Sequence, residues 1–363
     1  MKSDASSSPS GARTPLDWSR VKRVLLVRLR SIGDTVLMTP CLQALKDFQP
    51  TVETSVVTEP LAAPVLEGHP LLDHLFVASR TLASRLGLAA RLRGEDFDVA
   101  FNLHGGSTAM LLTALFGAKH TIGFRDQPMS WLLRERAPAP EVILGRTRIH
   151  SVEQQLALLR FTGVPIPPQP VLSIAISCEA AASARSKLIA AGLTAASLTA
   201  GRFAIVAPGA AFESKRWGAP HFASAIDHLD SRWQLESIVI AGPGQQQLAS
   251  EVASLSHSNP RVLSNVSLAE LEAVIGNFGR VFVGNDSGPM HIAAALGCPV
   301  LAIFGSSNPD VWHPWTRNVY RVIGGERGTP DSDVRGSIEA ISVSDVTAAL
   351  DEVIESAASR AAS

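Results

Sequence analysis

The chain has 363 residues, more than one hydrophobic core usually serves, so two domains of ordinary size are expected. Apolar residues make up 46% and charged residues 18%, a balance that excludes a disordered or fibrous protein. Residues 1–199 hold 21 Lys and Arg against 16 Asp and Glu, and the remaining residues hold 11 against 17. The basic first half and acidic second half both carry too small an excess to predict a nucleic-acid partner.

The N-terminal residues 1–20 are polar and Ser/Pro-rich, which predicts a flexible tail and not a signal peptide. No run of about 18 apolar residues occurs, so no membrane-spanning helix is expected. The cysteines Cys41, Cys178 and Cys298 are too few and too widely spaced for a disulfide framework or a CxxC metal site. These features predict a protein of a reducing compartment, the cytoplasm.

From Val21 onward, short β-branched runs such as VKRVLLVRL, TSVVTE, HLFVA and DVAFNL alternate with longer Ala/Leu-rich stretches. One such stretch, TVLMTPCLQALKDF, predicts a single helix. The alternation predicts βαβ units and a parallel sheet covered by helices. A helix predicted over residues 151–162 is followed by VPIPPQP, which we take as the linker between a domain of residues 21–170 and a domain of residues 171–363.

The same rhythm restarts at Phe203 with the runs FAIVAPG, ESIVIAGPG, RVLS, RVFVGND and PVLAIFGS. The Asp/Ser/Gly-rich residues 324–336 predict a loop, and residues 343–357 predict a closing helix. The predicted fold class is therefore α/β, with two doubly wound domains in tandem. Such domains leave a cleft at the C-terminal ends of their strands, where ligands bind.

The segment GNDSGPMH, residues 284–291, follows an apolar strand and opens a helix. A turn of small residues at a helix N-terminus exposes free N–H groups at the positive helix end, an arrangement that binds anions. Pro289 suits the first helical position, and Asp286 or Ser287 suits the cap. The alternative is a capped helix start without a ligand, with His291 as a structural hydrogen-bonding residue.

The segment PGAAFESKRW, residues 208–217, also comes just after a strand of the second half. In a loop at the sheet's C-terminal edge, Lys215 would neutralise a diphosphate as a mobile point charge and Arg216 as a planar fork. The alternative is a solvated basic pair above a packed Trp217. Gly242 begins a similar turn, GPG, after the next strand, so three loops converge on one edge, which favours a nucleotide ligand.

In the first half, the strand VLLVRL leads into a turn that ends at Asp34 and into a helix predicted from Thr35. Asp34 has two interpretations: the N-cap of that helix, or a carboxylate that faces the cleft as a general base. His104, in the turn HGG after the strand DVAFNL, lies on the same edge. It either lines the pocket or serves a structural role.

The sequence contains no GxGxxG after its first strand, no GxxxxGK[ST] and no HExxH, which argues against dehydrogenases, P-loop proteins and zinc hydrolases. Two Asp-x-Asp triplets, residues 96–98 and 331–333, carry carboxylates of the kind that hold Mg²⁺ beneath a sugar-nucleotide diphosphate. Neither triplet is expected at the C-terminal edge of a sheet. The sequence therefore predicts no metal site.

Taken together, these segments resemble glycosyltransferase family 9, the ADP-heptose:lipopolysaccharide heptosyltransferases and their relatives. The resemblance runs from about Val21 to Leu350 and rests on VLLVRLRSIGDTVLMTPCLQALK, IGFRD, HSVEQQLALLRFTGVP, ESKRW and VGNDSGPMHIAAALGCPVLAIFGSSNP, in that order. The chain departs from the family pattern at three places. Asn102 stands where relatives often have Asp, residues 245–247 are Gln where relatives are often acidic, and the 324–336 loop lacks the cysteines that many relatives carry.

The resemblance implies a GT-B fold, in which the first Rossmann-like domain holds the acceptor and the second holds the nucleotide-sugar. It also implies an inverting, metal-independent transfer without a cofactor, from an ADP-sugar donor to an anionic, lipid-linked glycan such as the lipopolysaccharide core. Asp34 would be the catalytic base and Lys215 would contact the donor phosphates. Further residues carried over to the donor site are Arg216, Asp286, Ser287, Gly288, His291, Gly209 and Gly242. Those expected at the acceptor site are Ser31, Gly33, His104 and Arg125.

Other functions fit the same residues: a GT-B transferase or epimerase that uses another nucleotide-sugar, such as a UDP sugar, or a non-catalytic nucleotide-sugar-binding module. The presence of both Asp34 and Lys215 argues against the non-catalytic module. Residues 80–93 contain four arginines, no acidic residue and leucines at roughly helical spacing. This segment is either an ordinary solvated helix face or an interfacial helix that holds the protein on the inner face of the cytoplasmic membrane.

Overall fold

The computed structural model describes residues 16–200, 203–325 and 338–362, and within them the strands form two parallel sheets. The first sheet has the order β3-β2-β1-β4-β5-β6. Its strands are β1 (Arg23–Val27), β2 (Glu53–Thr58), β3 (His74–Val77), β4 (Val99–Asn102), β5 (His120–Phe124) and β6 (Glu135–Ala137). The second sheet has the order β12-β11-β10-β7-β8-β9. Its strands are β7 (Phe203–Ala207), β8 (Ser237–Ile240), β9 (Arg261–Leu263), β10 (Gly279–Asn285), β11 (Val300–Phe304) and β12 (Tyr320–Gly324).

Helices cover both sheets. Those of the first half are α1 (Ile32–Leu37), α2 (Thr39–Phe48), α3 (Leu82–Arg93), α4 (Ser107–Leu115), α5 (Pro140–Leu144) and α6 (Ser151–Arg160). Those of the second half are α7 (Cys178–Ala190), α8 (Ala195–Ala200), α9 (Ala219–Trp233), α10 (Gln246–Leu255), α11 (Leu268–Phe278), α12 (Gly288–Ala295), α13 (Pro309–Trp312) and α14 (Val343–Ala362). No described helix is both long enough and apolar enough to cross a bilayer.

The two sheets share one topology, in which the strand order reverses beside the first strand of each half. In the first sheet β1 pairs with β2 on one side and β4 on the other, and in the second β7 pairs with β8 and β10. The central strands are apolar runs with both faces buried, as expected for a parallel sheet between helix layers. The reversal in each sheet opens a crevice at the C-terminal strand ends, which is where the candidate site lies.

The structure confirms the predicted α/β class and differs from the sequence prediction in several details, among them β5 and β6, which no predicted run covers. The stretch predicted as one helix is two, α1 and α2, since Pro40 lies in the first turn of α2 and cannot donate the N–H that a continuous helix needs. Residues 320–324 form the edge strand β12, which the sequence analysis missed. The closing helix extends to Ala362, beyond its predicted end. Most of the predicted loop 324–336 lies outside the described residues.

The predicted flexible tail is wrong for residues 18–20, which form a 3-10 turn. Trp18 is 8% exposed, and its Nε1 donates a hydrogen bond to the carbonyl of Thr162 at 2.7 Å. A buried indole with a satisfied N–H anchors this segment to the end of α6. Residues 1–15 lie outside the described part of the chain.

Candidate active site

Asp34 lies in the first turn of α1, directly after β1 and therefore at the C-terminal edge of the first sheet. Its Oδ2 accepts hydrogen bonds from the backbone N–H of Ser31 at 3.1 Å and from the Ser31 hydroxyl at 2.9 Å. The helix begins earlier than predicted, so Ser31 is the N-cap and Asp34 is the third helical residue. The Asp34 side chain is 19% exposed, which leaves it accessible from the cleft.

Arg28, just beyond β1, forms an ion pair with Asp34 through its Nη2. Its Nη1 donates to the carbonyl of Leu103, and the side chain is 9% exposed. Burial lowers the pKa of Arg28, and the Asp34 carboxylate opposes that shift. The sequence analysis missed this partner. The one sequence feature that could have indicated its role is the position of this charged residue at the end of an otherwise apolar strand.

His104 approaches the same edge from the turn after β4. Its Nδ1 donates to the carbonyl of Arg30 at 3.2 Å, which joins this turn to the turn before α1. The turn itself is held by buried Asn102, whose Oδ1 accepts from the backbone N–H of His104 at 3.0 Å and of Gly105 at 2.9 Å. Burial lowers the pKa of His104, and the charge of Arg28 lowers it further.

The two halves of the chain meet at the N-termini of α1 and α12. A Cβ added to Gly33 would lie 2.5 Å from Cδ2 of His291, and one added to Gly288 would lie 3.0 Å from a methyl carbon of Ile32. Both glycines are therefore points of close approach between the first half and the second. This contact brings the Asp34 turn and the GNDSGPMH turn together, as the prediction of a shared cleft requires.

Lys215 and Asp286 are paired in the second half. The Nζ of Lys215 lies 2.7 Å from Oδ2 of Asp286, and the hydroxyl of Ser307 donates to the same oxygen at 2.6 Å. The Asp286 side chain is 7% exposed and that of Lys215 is 25% exposed. A nearly buried carboxylate thus holds the lysine at the mouth of the α12 turn, where Ser287 is the N-cap.

His291, in the first turns of α12, is 4% exposed, and its Nδ1 has no hydrogen-bond partner among the described residues. Burial lowers its pKa from the ordinary value, while the carboxylates of Asp286 and Asp34 act in the opposite direction. The imidazole is therefore neutral at pH 7, and a buried polar atom is left for a ligand to satisfy.

Asn285, at the end of β10, was not assigned a role from the sequence. It is fully buried, its Nδ2 donates to the carbonyl of Pro208 at 2.7 Å, and its Oδ1 accepts from the backbone N–H of Trp217 at 3.1 Å. One side chain therefore fixes both ends of the loop 208–217. Its only sequence signal was an amide at the end of an apolar strand, within the GNDSGPMH motif.

The turns that contain Gly209 and Gly242 meet beneath Gln245. A Cβ added to Gly209 would lie 2.0 Å from Oε1 of Gln245, and one added to Gly242 would lie 2.9 Å from the same atom. Arg216 donates through its Nε and Nη2 to the carbonyl of Ala210, each at 3.3 Å. The three predicted loops thus converge, with Arg216 bracing its own loop.

A histidine and aromatic cluster joins the halves beside the cleft, and the sequence analysis missed it. His150, the N-cap of α6, donates from its Nε2 to the carbonyl of His313 at 2.9 Å, and its ring lies 4.7 Å from that of Trp315. Burial, followed by the neighbouring His313, lowers the pKa of His150 to about 2. A permanently neutral ring therefore serves as a hydrogen-bonding link between the halves.

The other predicted residues fall as follows. Arg125 is exposed just after β5, at the same sheet edge as Ser31. Asp98 accepts from the backbone N–H of Lys22 at 2.7 Å and pairs with Lys119 at 2.8 Å, a structural role before β4. The second Asp-x-Asp triplet lies outside the described residues. Within the described part of the chain, no group of three His, Cys, Asp or Glu is placed to hold a metal ion.

Comparison with known proteins agrees with this architecture. The sequence profile of glycosyltransferase family 9 (heptosyltransferase) matches residues 85–340. The chain is 27% identical over 345 residues to lipopolysaccharide heptosyltransferase 3 of Escherichia coli, covering 90% of this chain and 98% of that protein. Its fold is similar to that of the family 9 glycosyl transferase from Veillonella parvula, with a TM-score of 0.79 and 23% identity, covering 92% and 97% of the two chains. It is also similar to that of E. coli heptosyltransferase WaaC with ADP, with a TM-score of 0.72 and 19% identity, covering 91% and 99%.

Two doubly wound parallel sheets, together with the similarity to these solved structures, define the GT-B fold. The family profile spans well over half of the chain. The chain belongs to glycosyltransferase family 9.

Proposed function

We propose that this enzyme transfers a heptose from an ADP-sugar to a lipopolysaccharide core or a similar anionic, lipid-linked glycan, without a metal and with inversion at the anomeric carbon. The observation that supports the proposal is the contact of α1 with α12, since Gly33, next to Asp34, meets His291 in the helix that follows Asp286. The named relatives support the sugar and the acceptor: one is a lipopolysaccharide heptosyltransferase, and one heptosyltransferase structure contains ADP.

In this mechanism Asp34 removes the proton of the acceptor hydroxyl as that oxygen attacks the anomeric carbon from the face opposite the diphosphate. One displacement forms the new glycosidic bond and breaks the bond to the diphosphate. Arg28 and Ser31 hold the carboxylate in place through its two oxygens. A carboxylate offers about four lone-pair sites, so a site remains for the acceptor hydroxyl.

The leaving diphosphate gains negative charge, and Lys215 and the N-terminus of α12 supply the positive partners. Lys215 is held by Asp286 beside that helix end, so it needs little rearrangement when phosphate enters. The unpartnered Nδ1 of His291 lies in the same turn and provides a further polar contact for the donor. Ser287 caps this helix end, and the missing side chains of Gly209 and Gly242 make room for Gln245 in the neighbouring turns.

The lipid-linked acceptor gives the basic segment 80–93 a role at a membrane surface. Arg80 and Arg85 both bind Glu59, at 2.9 and 3.1 Å, so one carboxylate offsets one of their two charges. Leu82 and Leu86 on α3 are 71% and 51% exposed. This helix therefore offers a bilayer exposed leucines together with arginines that keep part of their positive charge.

A donor panel tests the function. The enzyme is incubated with ADP-heptose, other ADP-sugars and UDP-sugars, with and without purified lipid acceptors, and free nucleotide is measured. Acceptor-dependent release of ADP from ADP-heptose, equal with and without EDTA, is the expected result. Turnover of a UDP-sugar alone would support a different transferase or an epimerase, and turnover that EDTA abolishes would contradict metal independence.

A further inference from the structure

A second groove lies away from the candidate active site, along the boundary between the two halves. Its volume is about 840 Å³, within the range of small-molecule pockets, about 300–1,000 Å³. One wall comes from α5 and α6, the floor from the Pro-rich residues 166–172, and the other wall from the end of α12 and residues 315–318. Asp34, Lys215 and His291 do not line it.

The groove is bordered by three arginines from three separate segments: Arg146 after α5, Arg160 at the end of α6, and Arg317 before β12. Glu153 is the one acidic residue among the described residues that line it, and it pairs with Arg146. Arg317 donates to the neutral carbonyl of Gln169 at 3.3 Å. The groove therefore keeps two uncompensated positive charges.

Arg160 is the most available of these cations. Its guanidinium makes no hydrogen bond or ion pair with any residue in the described part of the chain, and the residue is exposed. Planar guanidinium groups bind phosphate and carboxylate in a bidentate fashion. Arg160 and Arg317 line one groove from two separate segments, so both guanidinium groups are available to a bound anion.

Much of the remaining lining is apolar, beside the polar residues Gln169, Thr316 and Asn318. Ile166, Val171 and Leu172 come from the connecting segment, Ala294 from α12, and Trp315 from the segment before β12. The one polar atom of the Trp315 ring is already satisfied, since its Nε1 donates to the carbonyl of Pro170 at 2.8 Å. The groove thus combines a cationic rim with an apolar wall.

We propose that this groove binds an amphipathic anion, a phosphate or carboxylate attached to an apolar body. The anionic group pairs with Arg160 and Arg317, and the apolar body packs against Val171, Ala294 and Trp315. This site is independent of the donor and acceptor sites proposed above, because its lining shares no residue with them.

Isothermal titration calorimetry of the full chain tests the site with four probes: octyl phosphate, octanoate, inorganic phosphate and octyl glucoside. Octyl phosphate or octanoate should bind at least tenfold more tightly than inorganic phosphate and octyl glucoside, and their order identifies the preferred anion. Equal binding of octyl glucoside would reduce the groove to a non-specific apolar surface and overturn the proposal. Absence of binding by both anionic amphiphiles would overturn it as well.

Two variants locate the binding. Arg160→Gln removes one cation and Val171→Asp adds an opposing charge at a residue that is 44% exposed, so each should weaken the anionic amphiphile at least fivefold. The matched control is Arg185→Gln on α7, an arginine that does not line the groove. If both groove variants bind like the control, the amphiphile lies elsewhere and the assignment is wrong. ADP binding, measured in parallel, should be unchanged in all three.

Discussion

Lys215 and Asp286 form an ion pair across 2.7 Å between the loop after β7 and the turn after β10, and Ser307 donates to the same carboxylate oxygen. This geometry gives Lys215 a defined position before any donor is present. It also means that an incoming diphosphate competes with, or joins, an existing partner of the lysine. The affinity for ADP therefore reflects the interaction of Lys215 with the diphosphate less whatever Lys215 loses of its interaction with Asp286.

Replacing Lys215 with Ala should weaken ADP binding by about 1.5–3 kcal/mol, the range for hydrogen bonds to charged groups. Calorimetric titration of ADP checks this. Lys119→Ala is the matched control, because Lys119 pairs with Asp98 at 2.8 Å before β5, at the opposite edge of the first sheet. Equal ADP affinity in both variants would remove Lys215 from the donor site.

Replacing Asp34 with Asn should lower kcat by about 10²–10⁴-fold, because an amide cannot accept the acceptor proton. ADP affinity should stay near that of the wild type, since the nucleotide is bound by the second half. A kcat within about tenfold of wild type would exclude Asp34 as the base. A parallel collapse of ADP affinity would point to misfolding.

The ion pair between Arg28 and Asp34 determines how much stability the Asp34→Asn variant is expected to lose. The side-chain oxygen of an Asn at this third helical position can still accept from the Ser31 N–H, so the change at the helix start alone predicts a small loss. Because the nearly buried Arg28 loses its counter-charge, we expect Asp34→Asn to lose about 1–3 kcal/mol in denaturant unfolding. Ser31→Ala, which removes a cap hydroxyl and keeps the ion pair, should lose less. The reverse order would contradict a structural role for the ion pair.

Replacing Gly33 with Ala should reduce both stability and turnover, because the added Cβ would lie 2.5 Å from the ring of buried His291. Overpacking of this kind typically costs about 1–3 kcal/mol. Gly87→Ala on α3 is the control, since no atom lies within 4 Å of its added Cβ. The double variant Gly33→Ala/His291→Ala should recover stability but not turnover, and failure to recover stability would contradict the contact.

Replacing Leu82 and Leu86 together with Ser should weaken co-sedimentation with anionic vesicles, because both side chains are largely exposed on α3. The wild type should bind anionic vesicles better than neutral ones, and less well as salt rises. Ile189→Ser, at a residue that is 47% exposed on α7, is the matched control. Wild-type binding that is the same for both vesicle types would contradict a membrane-facing α3.

Glu272 on α11 makes stability depend on pH. It is 1% exposed, and burial, with repulsion from Glu67, raises its pKa from 4.5 to about 8. Between these two values the folded protein binds more protons than the unfolded chain, so this group lowers stability as pH rises. Glu272→Gln should therefore become more stable than wild type as pH rises from 5 to 8.

Thermal unfolding at pH 5 and pH 8 tests this dependence on Glu272. The difference in Tm between Glu272→Gln and the wild type should grow with pH, whereas Glu352→Gln, at a side chain that is 58% exposed, should show no such growth. A constant difference would show that Glu272 does not titrate in this range.

The pattern of apolar runs was sufficient to predict the parallel sheets, because strands that are buried on both faces consist of continuous apolar, β-branched residues. It could not reveal β12, whose residues are only half buried at a sheet edge. The motifs located the turns of Asp34, Lys215 and Asp286 because turn chemistry is local.

The partners of these residues depend on the tertiary fold. Arg28 meets Asp34 only through the turn geometry of α1, and His150 meets His313 across more than a hundred intervening residues. A single sequence records which residues are present but not which distant ones pack together. The Pro-rich linker was recognised as a connection, whereas the groove that it floors was not.

The side chain of Asn285 joins the carbonyl of Pro208 to the N–H of Trp217 and so closes the loop that carries Lys215 into a ring. A closed loop has lost most of its conformational freedom during folding, before a ligand arrives. Association therefore has less chain entropy to overcome than it would with an open loop. The buried amide of Asn285 takes no part in the reaction, but it makes the loop that carries Lys215 rigid before the nucleotide binds.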